Sequence, residues 1–178
     1  MNDPIAWIVI VGLLLIAMSF MLPVLFGPPY VPTLRLNMNT ALDLLNLKPG
    51  QTLIDLGSGD GRVLIAAAKR GINAVGIEMS LILVVVSYLR TRRYRKQVRI
   101  IWGNYFYTRW PQADAIFSFM IQYQMRRLDE RIEQWRAGRT VRVASFAFQI
   151  PDRELLDEEQ GVFLYEYKGK SKIEPPKA

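Results

Sequence analysis

From Pro4 to Leu34 the chain carries no charged side chain, and residues 5–26 (IAWIVIVGLLLIAMSFMLPVLF) are apolar almost without interruption. A helix of that length reaches about 33 Å at about 1.5 Å per residue, which matches the hydrocarbon thickness of a bilayer. A helix buried in a soluble core seldom stays apolar on every face for so long. The run is therefore expected to be one transmembrane helix. Only Met1, Asn2 and Asp3 precede it, which is not the basic start of a cleaved secretion signal, so the helix is expected to stay attached. Gly27-Pro28-Pro29 should end it, because proline lacks the amide proton and clashes with the preceding turn.

Of the 23 Lys+Arg and 16 Asp+Glu in the chain, only Asp3 lies before residue 35. Basic residues after the span and none before it place the N-terminus outside and the bulk of the chain on the cytoplasmic side of the membrane. A net positive domain also sits favourably against anionic headgroups. The division expected is residues 1–27 as membrane helix, 28–38 as linker and 39–178 as one folded domain.

Past the span the pattern changes to short apolar runs alternating with amphipathic ones. Helices are expected at 39–47, 62–70, 80–95 and 124–136, and strands at 52–56, 74–78, 98–102, 113–120 and 140–150. After an acidic connector, 151–160, one last strand is expected at 161–168, followed by a frayed tail. Strands separated by helices imply an α/β fold: a Rossmann-like, doubly wound, mostly parallel sheet with right-handed crossovers.

The chain has no His and no Cys. That removes Ser-His-Asp and Cys-His nucleophiles, imidazole and thiolate metal ligands, and disulfides. Any acid, base or nucleophile must be Asp, Glu, Lys, Tyr, Ser or Thr, and no metal site is expected.

Chemistry is concentrated where the first strand of the domain meets the following helix. Asp55-Leu56-Gly57-Ser58-Gly59-Asp60-Gly61 is D-x-G-x-G-x-G, where glycines let the backbone turn sharply and approach a ligand and the helix start offers free amides. The dinucleotide fingerprint needs G-x-G-x-x-G, and Arg62 stands where its third glycine would be. A pyrophosphate cradle is thus the weaker reading. Asp55 suits a ligand with a cationic or hydrogen-bond-donating end, such as an amino acid moiety. Glu78, closing AVGIE at the next strand end, can accept hydrogen bonds from ribose hydroxyls.

At these residues the chain resembles the class I S-adenosylmethionine-dependent methyltransferases, whose first motif is similar to IDLGSGDGR. Pro29-Tyr30-Val31-Pro32-Thr33, then DLGSGDGRVLIAAAKRG and AVGIE after a membrane helix, resemble the prokaryotic relatives of the mitochondrial lysine methyltransferases that modify the ATP synthase c-subunit and the adenine nucleotide translocase. The resemblance implies S-adenosylmethionine as cofactor. It implies that Asp55, Gly57, Gly59 and Gly61 hold the methionine part, Glu78 the ribose and Asn104 the adenine, with Ser58, Met79 and Tyr105 also binding the cofactor and residues 29–33 lining the entrance. It also implies a class I methyltransferase fold shortened after residue 150.

A lysine acceptor must lose a proton before it can attack, and no carboxylate closes the fourth strand of the domain. An aromatic and amide pocket of Phe119, Gln122 and Tyr123, with Tyr30 from the entrance, is the candidate for desolvating it. Core packing is the competing reading of the same residues. Residues 90–96 (RTRRYRK) hold five basic side chains in seven. They read as a solvated or lipid-facing helix end, or as an RNA contact. The expected function is methyl transfer to a lysine of a protein in or near the membrane. The alternatives are a methyltransferase for RNA or a small or lipid-like molecule, and a non-catalytic membrane protein that binds the cofactor.

Overall fold

In the computed structural model, which describes residues 4–26 and 35–169, the first element is helix α1 (Pro4–Phe26). Among the described residues no helix is long and apolar enough to cross a membrane. Side chains of α1 are described for residues 4–14 and Ala17 only. The entrance segment 29–33, with Tyr30, lies outside the described residues.

The next described element is α2 (Arg35–Leu45), which begins one turn earlier than the periodicity suggests and makes residues 35–38 helical. There follow β1 (Thr52–Leu56), α3 (Arg62–Lys69), β2 (Asn73–Glu78), α4 (Leu81–Thr91), β3 (Val98–Trp102), β4 (Ala115–Ser118), α5 (Met125–Arg136), β5 (Val141–Phe146), β6 (Asp157–Glu159) and β7 (Val162–Tyr167). The seven strands form one sheet in the order β3-β2-β1-β4-β5-β7-β6. The first five are parallel, and β7 runs antiparallel to both β5 and β6. After β1 the chain winds outward to β2 and β3, then returns to lay β4 on the other side of β1. In such a sheet the reversal opens a crevice at the carboxyl ends of β1 and β4.

Both faces of the sheet are covered, as the nearly continuous burial of its central strands requires. Alternation sends Leu53 and Ala74 to one face, where Leu42, Leu45, Leu64 and Ala67 of α2 and α3 pack. Ile54, Leu56 and Ile77 face the other way, against Met125, Leu128 and Ile132 of α5 and Trp110.

Several elements differ from expectation for identifiable reasons. β4 covers only Ala115–Ser118, because its partner β1 ends at Leu56, opposite Ser118. β5 stops at Phe146, where Ala147 turns into the left-handed region (φ 70°) and donates its amide to the Gly161 carbonyl. Helix 80–95 is α4 followed by a 3-10 turn, Arg92–Tyr94. At the junction Thr91 Oγ1 donates back to the Ser87 carbonyl at 2.8 Å, a bond that competes with regular helix geometry. The acidic connector contains β6, so two strands and not one complete the sheet after residue 150. Among the described residues no helix lies between β5 and β6.

Candidate functional site

The glycine loop between β1 and α3 occupies the crevice. Gly57, Gly59 and Gly61 all take positive φ (80°, 55° and 79°), conformations that a side chain would strain. Their surroundings separate their roles. Among the described residues a Cβ on Gly57 would meet nothing within 4 Å. A Cβ on Gly61 would stand 2.3 Å from Ser87 Oγ of α4, so Gly61 permits close helix packing. Gly76 on β2 plays a similar part, since a Cβ there would lie 2.4 Å from Ser58 Oγ and 2.7 Å from Leu64 Cδ1.

Two carboxylates converge on the loop. Glu78, at the end of β2 and 7% exposed, accepts the Gly59 amide at Oε2 (2.8 Å) and the Ser80 amide at Oε1 (2.7 Å). Burial pushes its pKa up, against these amide bonds, which favour the ionised form. Asp55, 3% exposed, has a buried Oδ2 with no hydrogen-bond partner. Burial, then the charges of Glu78 and Asp60, push its pKa up to about 8. Asp60 pairs instead with Arg62 and Arg90. Burial would raise its pKa, but the Arg62 hydrogen bonds at 3.0 and 2.9 Å and the charges of Arg62 and Arg90 hold it low. Arg90 of α4 also bonds Asp60 directly, which ties the glycine loop to that helix.

The far side of the crevice is built by the loop after β3. Asn104 Nδ2 lies 3.8 Å from Met79 Sδ, and Asn104 Oδ1 accepts the Phe106 amide at 2.9 Å. Trp102, paired with Glu78 across β2 and β3, donates its indole N–H to the Met79 carbonyl at 3.0 Å. Tyr105 donates its hydroxyl to Gln124 Oε1 at 3.0 Å, and its ring packs 4.7 Å from that of Phe106. Burial holds the Tyr105 phenol well above its ordinary pKa.

Of the four residues expected in the acceptor pocket, Phe119 stacks edge-on against Phe146 at 4.7 Å, while Gln122 and Tyr123 are exposed. Tyr30 is outside the described residues. Gln124, not Gln122, is the buried amide beside Tyr105. Ser118, at the carboxyl end of β4 beside Leu56, is fully buried with an unpartnered Oγ. Sequence alone does not single out Gln124, Ser118 or Trp102, nor the tie that Arg90 makes to the loop. The one available signal is position, for Ser118 and Trp102 each close a strand on the carboxyl side of the sheet.

These features fit a nucleoside carrying a cationic amino acid end. Asp55 Oδ2 and Ser58 Oγ are buried and have no hydrogen-bond partner among the described residues. Among those residues Gly57 leaves room, and each Glu78 oxygen, besides the amide it accepts, has a second lone pair for a ribose hydroxyl.

Comparison with known proteins agrees. Residues 55–156 match the ANTKMT methyltransferase domain. The chain is 32% identical over 141 residues to the ATP synthase C-subunit lysine N-methyltransferase of Caenorhabditis elegans, covering 75% of this chain and 74% of that protein. It is 28% identical over 149 residues to a protein-lysine N-methyltransferase of Saccharolobus islandicus, covering 77% and 92%. Among solved structures, an RNA methyltransferase from Salinibacter ruber in complex with S-adenosyl-L-homocysteine superposes with a TM-score of 0.69 at 25% identity, covering 83% of this chain and 98% of that one. With the glycine loop and both carboxylates inside the matched region, the chain belongs to the ANTKMT methyltransferase domain family and is a methyltransferase that uses S-adenosylmethionine.

Proposed function

We propose that the chain transfers a methyl group from S-adenosylmethionine to a lysine side chain of a protein in or beside the membrane to which α1 anchors it. The observation that carries the acceptor class is the similarity, over three quarters of the chain, to the lysine N-methyltransferase of Caenorhabditis elegans.

In this reading Asp55, Gly57 and Ser58 hold the methionine end, Gly59 and Glu78 the ribose, and Met79, Asn104 and Tyr105 the adenine side. Gly61 serves the loop by letting α4 approach. The cofactor supplies a methyl carbon on a cationic sulfur that leaves as a neutral thioether. What the chain must add is an aligned, deprotonated amine. Phe119 and Phe146 stack where β4 and β5 end, and an ammonium entering among them loses hydration, which lowers its pKa and releases its proton to water. The Ser118 hydroxyl, buried and unpartnered, supplies an acceptor for an amine N–H. Tyr123 and Gln122 stand exposed at the rim, where a protein segment would rest.

The anchoring rests on the sequence, in which residues 4–34 carry no charged side chain. Ile5, Trp7, Ile8, Leu13 and Leu14 are all more than half exposed, an arrangement costly in water and favourable in lipid. The basic domain following α1 supports a cytoplasmic placement.

Incubating membranes that contain the acceptor with donor labelled in its methyl group tests the reading. Label in a protein band that hydrolyses to methyl-lysine supports it. The Salinibacter ruber neighbour and the basic segment 90–96 favour RNA as the second reading, and label recovered in RNA would select that one instead.

A further inference from the structure

Helix α4 buries Leu83, Ser87 and Thr91 against the domain. Its opposite side turns Leu81, Val85, Tyr88 and Leu89 outward, 51–69% exposed. Spacing of four, seven and eight residues puts these four on one face. A helix on a soluble domain ordinarily carries polar side chains there, whereas among the described residues this apolar ridge is left exposed.

What surrounds the ridge names the partner. No Asp or Glu occurs between Glu78 and Asp114. Arg92, Arg93, Arg95 and Lys96 follow the ridge directly and are exposed. Among the described residues none of these four, nor Arg99, takes part in an ion pair, whereas Arg90 is held by Asp60. Between α4 and the edge strand β3 lies a groove whose lining includes Tyr88, Arg92, Arg95, Val98, Arg99 and Ile100. Helix α1 approaches α4, so both lie on the same side of the domain.

We propose that this face of α4 lies on an anionic lipid leaflet, with Leu81, Val85 and Leu89 dipping below the headgroups and the arginines of the groove gripping lipid phosphate. Aliphatic residues on one face with cations at the end of the helix are what an interfacial helix presents to lipid. RNA would use the same arginines but leave Leu81, Val85 and Leu89 against water. A second copy of the chain would bring two uncompensated basic clusters together. The consequence for the site is geometric. Ser80 caps α4, accepting the Leu83 amide at 3.4 Å, and donates its own amide to Glu78. The ridge therefore begins at the cofactor crevice, and seating α4 on the leaflet brings the crevice to the membrane surface. The inference deepens the membrane reading above and uses α1 only for its side of the domain.

The absence of cysteine makes the test direct. Single variants Leu89→Cys and, on the far face, Glu130→Cys are labelled with an environment-sensitive fluorophore in the full chain. The chain is reconstituted into vesicles of phosphatidylcholine alone or mixed with phosphatidylglycerol, with nitroxide lipid as quencher. At position 89 the expected result is a blue shift and quenching in anionic vesicles only, with position 130 remaining in water. The triple substitution Arg92→Gln, Arg95→Gln, Arg99→Gln is expected to cut contact about a hundredfold, at about fivefold per charge. A label at 89 that stays in water on anionic vesicles overturns the proposal, as does equal quenching in neutral ones. A shift produced by added RNA, or by raising protein concentration without lipid quenching, also overturns it in favour of those partners. A label placed at Leu14→Cys reports α1 separately: water exposure there with quenching at 89 would remove the anchor and keep the α4 face.

Discussion

Glu78 reaches back from the end of β2 to the glycine loop, where its Oε2 accepts the Gly59 amide at 2.8 Å while its Oε1 accepts Ser80 at 2.7 Å. One carboxylate thus shapes the loop and caps the approach to α4 before any ligand arrives. Glu78→Gln keeps a single carbonyl for two amides and turns an NH2 donor toward the other. Hydrogen bonds to a buried charge contribute about 1.5–3 kcal/mol. Denaturation should show a loss in that range, and cofactor affinity should fall by about tenfold or more. Unchanged values for both would contradict this arrangement.

Asp55 sets a pH dependence. An unfolded carboxyl ionises near its ordinary value of 3.8, whereas in the folded chain this one holds its proton to about 8. Between those values the unfolded chain gives up a proton that the folded one keeps, so stability falls as pH rises through the window. Asp55→Asn should flatten that fall, measured as the difference between wild-type and variant midpoints at pH 5 and pH 8. A cationic ligand favours the ionised form, so binding near neutral pH should release a proton, and affinity should rise with pH toward 8. Calorimetry in buffers of different ionisation heat reads that proton, and its absence would show that Asp55 does not meet the ligand's charge.

Gly61 is expected to be intolerant for reasons of packing. Gly61→Ala combines a positive φ with a Cβ 2.3 Å from Ser87 Oγ. The two together should cost about 2–4 kcal/mol, read by chemical denaturation. Ser87 Oγ is buried without a partner, so Ser87→Ala alone should be neutral or mildly stabilising and should rescue part of the Gly61→Ala loss. If the double variant were no better than Gly61→Ala, the clash would lie elsewhere.

Elements whose signals are local can be read from the chain alone. β1, the glycine loop and β2 stand out because an apolar run, three close glycines and AVGIE each announce their own geometry. The ties that shape the crevice are not local. Arg90 finds Asp60 thirty positions away, and Tyr105 finds Gln124 nineteen positions on, pairings that exist only once the sheet is assembled. β6 escapes sequence reading because Asp157–Glu159 is three charged residues, and only pairing with β7 makes it a strand. Gln122 and Gln124 cannot be told apart in the run FMIQYQM, because nothing there says which amide the 3-10 turn Gln122–Gln124 will bury.

The Tyr105–Gln124 bond joins the loop after β3 to the turn after β4, one wall of the crevice to the other. Gln124→Leu leaves the Tyr105 hydroxyl unpartnered and should lower turnover about tenfold, with a smaller effect on cofactor affinity. Tyr123→Phe, at an exposed rim position, should alter turnover more than cofactor binding. Initial-rate kinetics set beside calorimetric titration separates the two quantities. Equal losses in both would place these residues in the cofactor site.

The central claim is that the loop 57–61, with Asp55 and Glu78, grips the methyl donor. Calorimetric titration of the full chain with S-adenosylhomocysteine, beside Asp55→Ala, tests it most directly. Saturable binding at one ligand per chain that disappears in the variant is the expected result. No heat with the natural chain, or an affinity that Asp55→Ala leaves unchanged, would contradict the account.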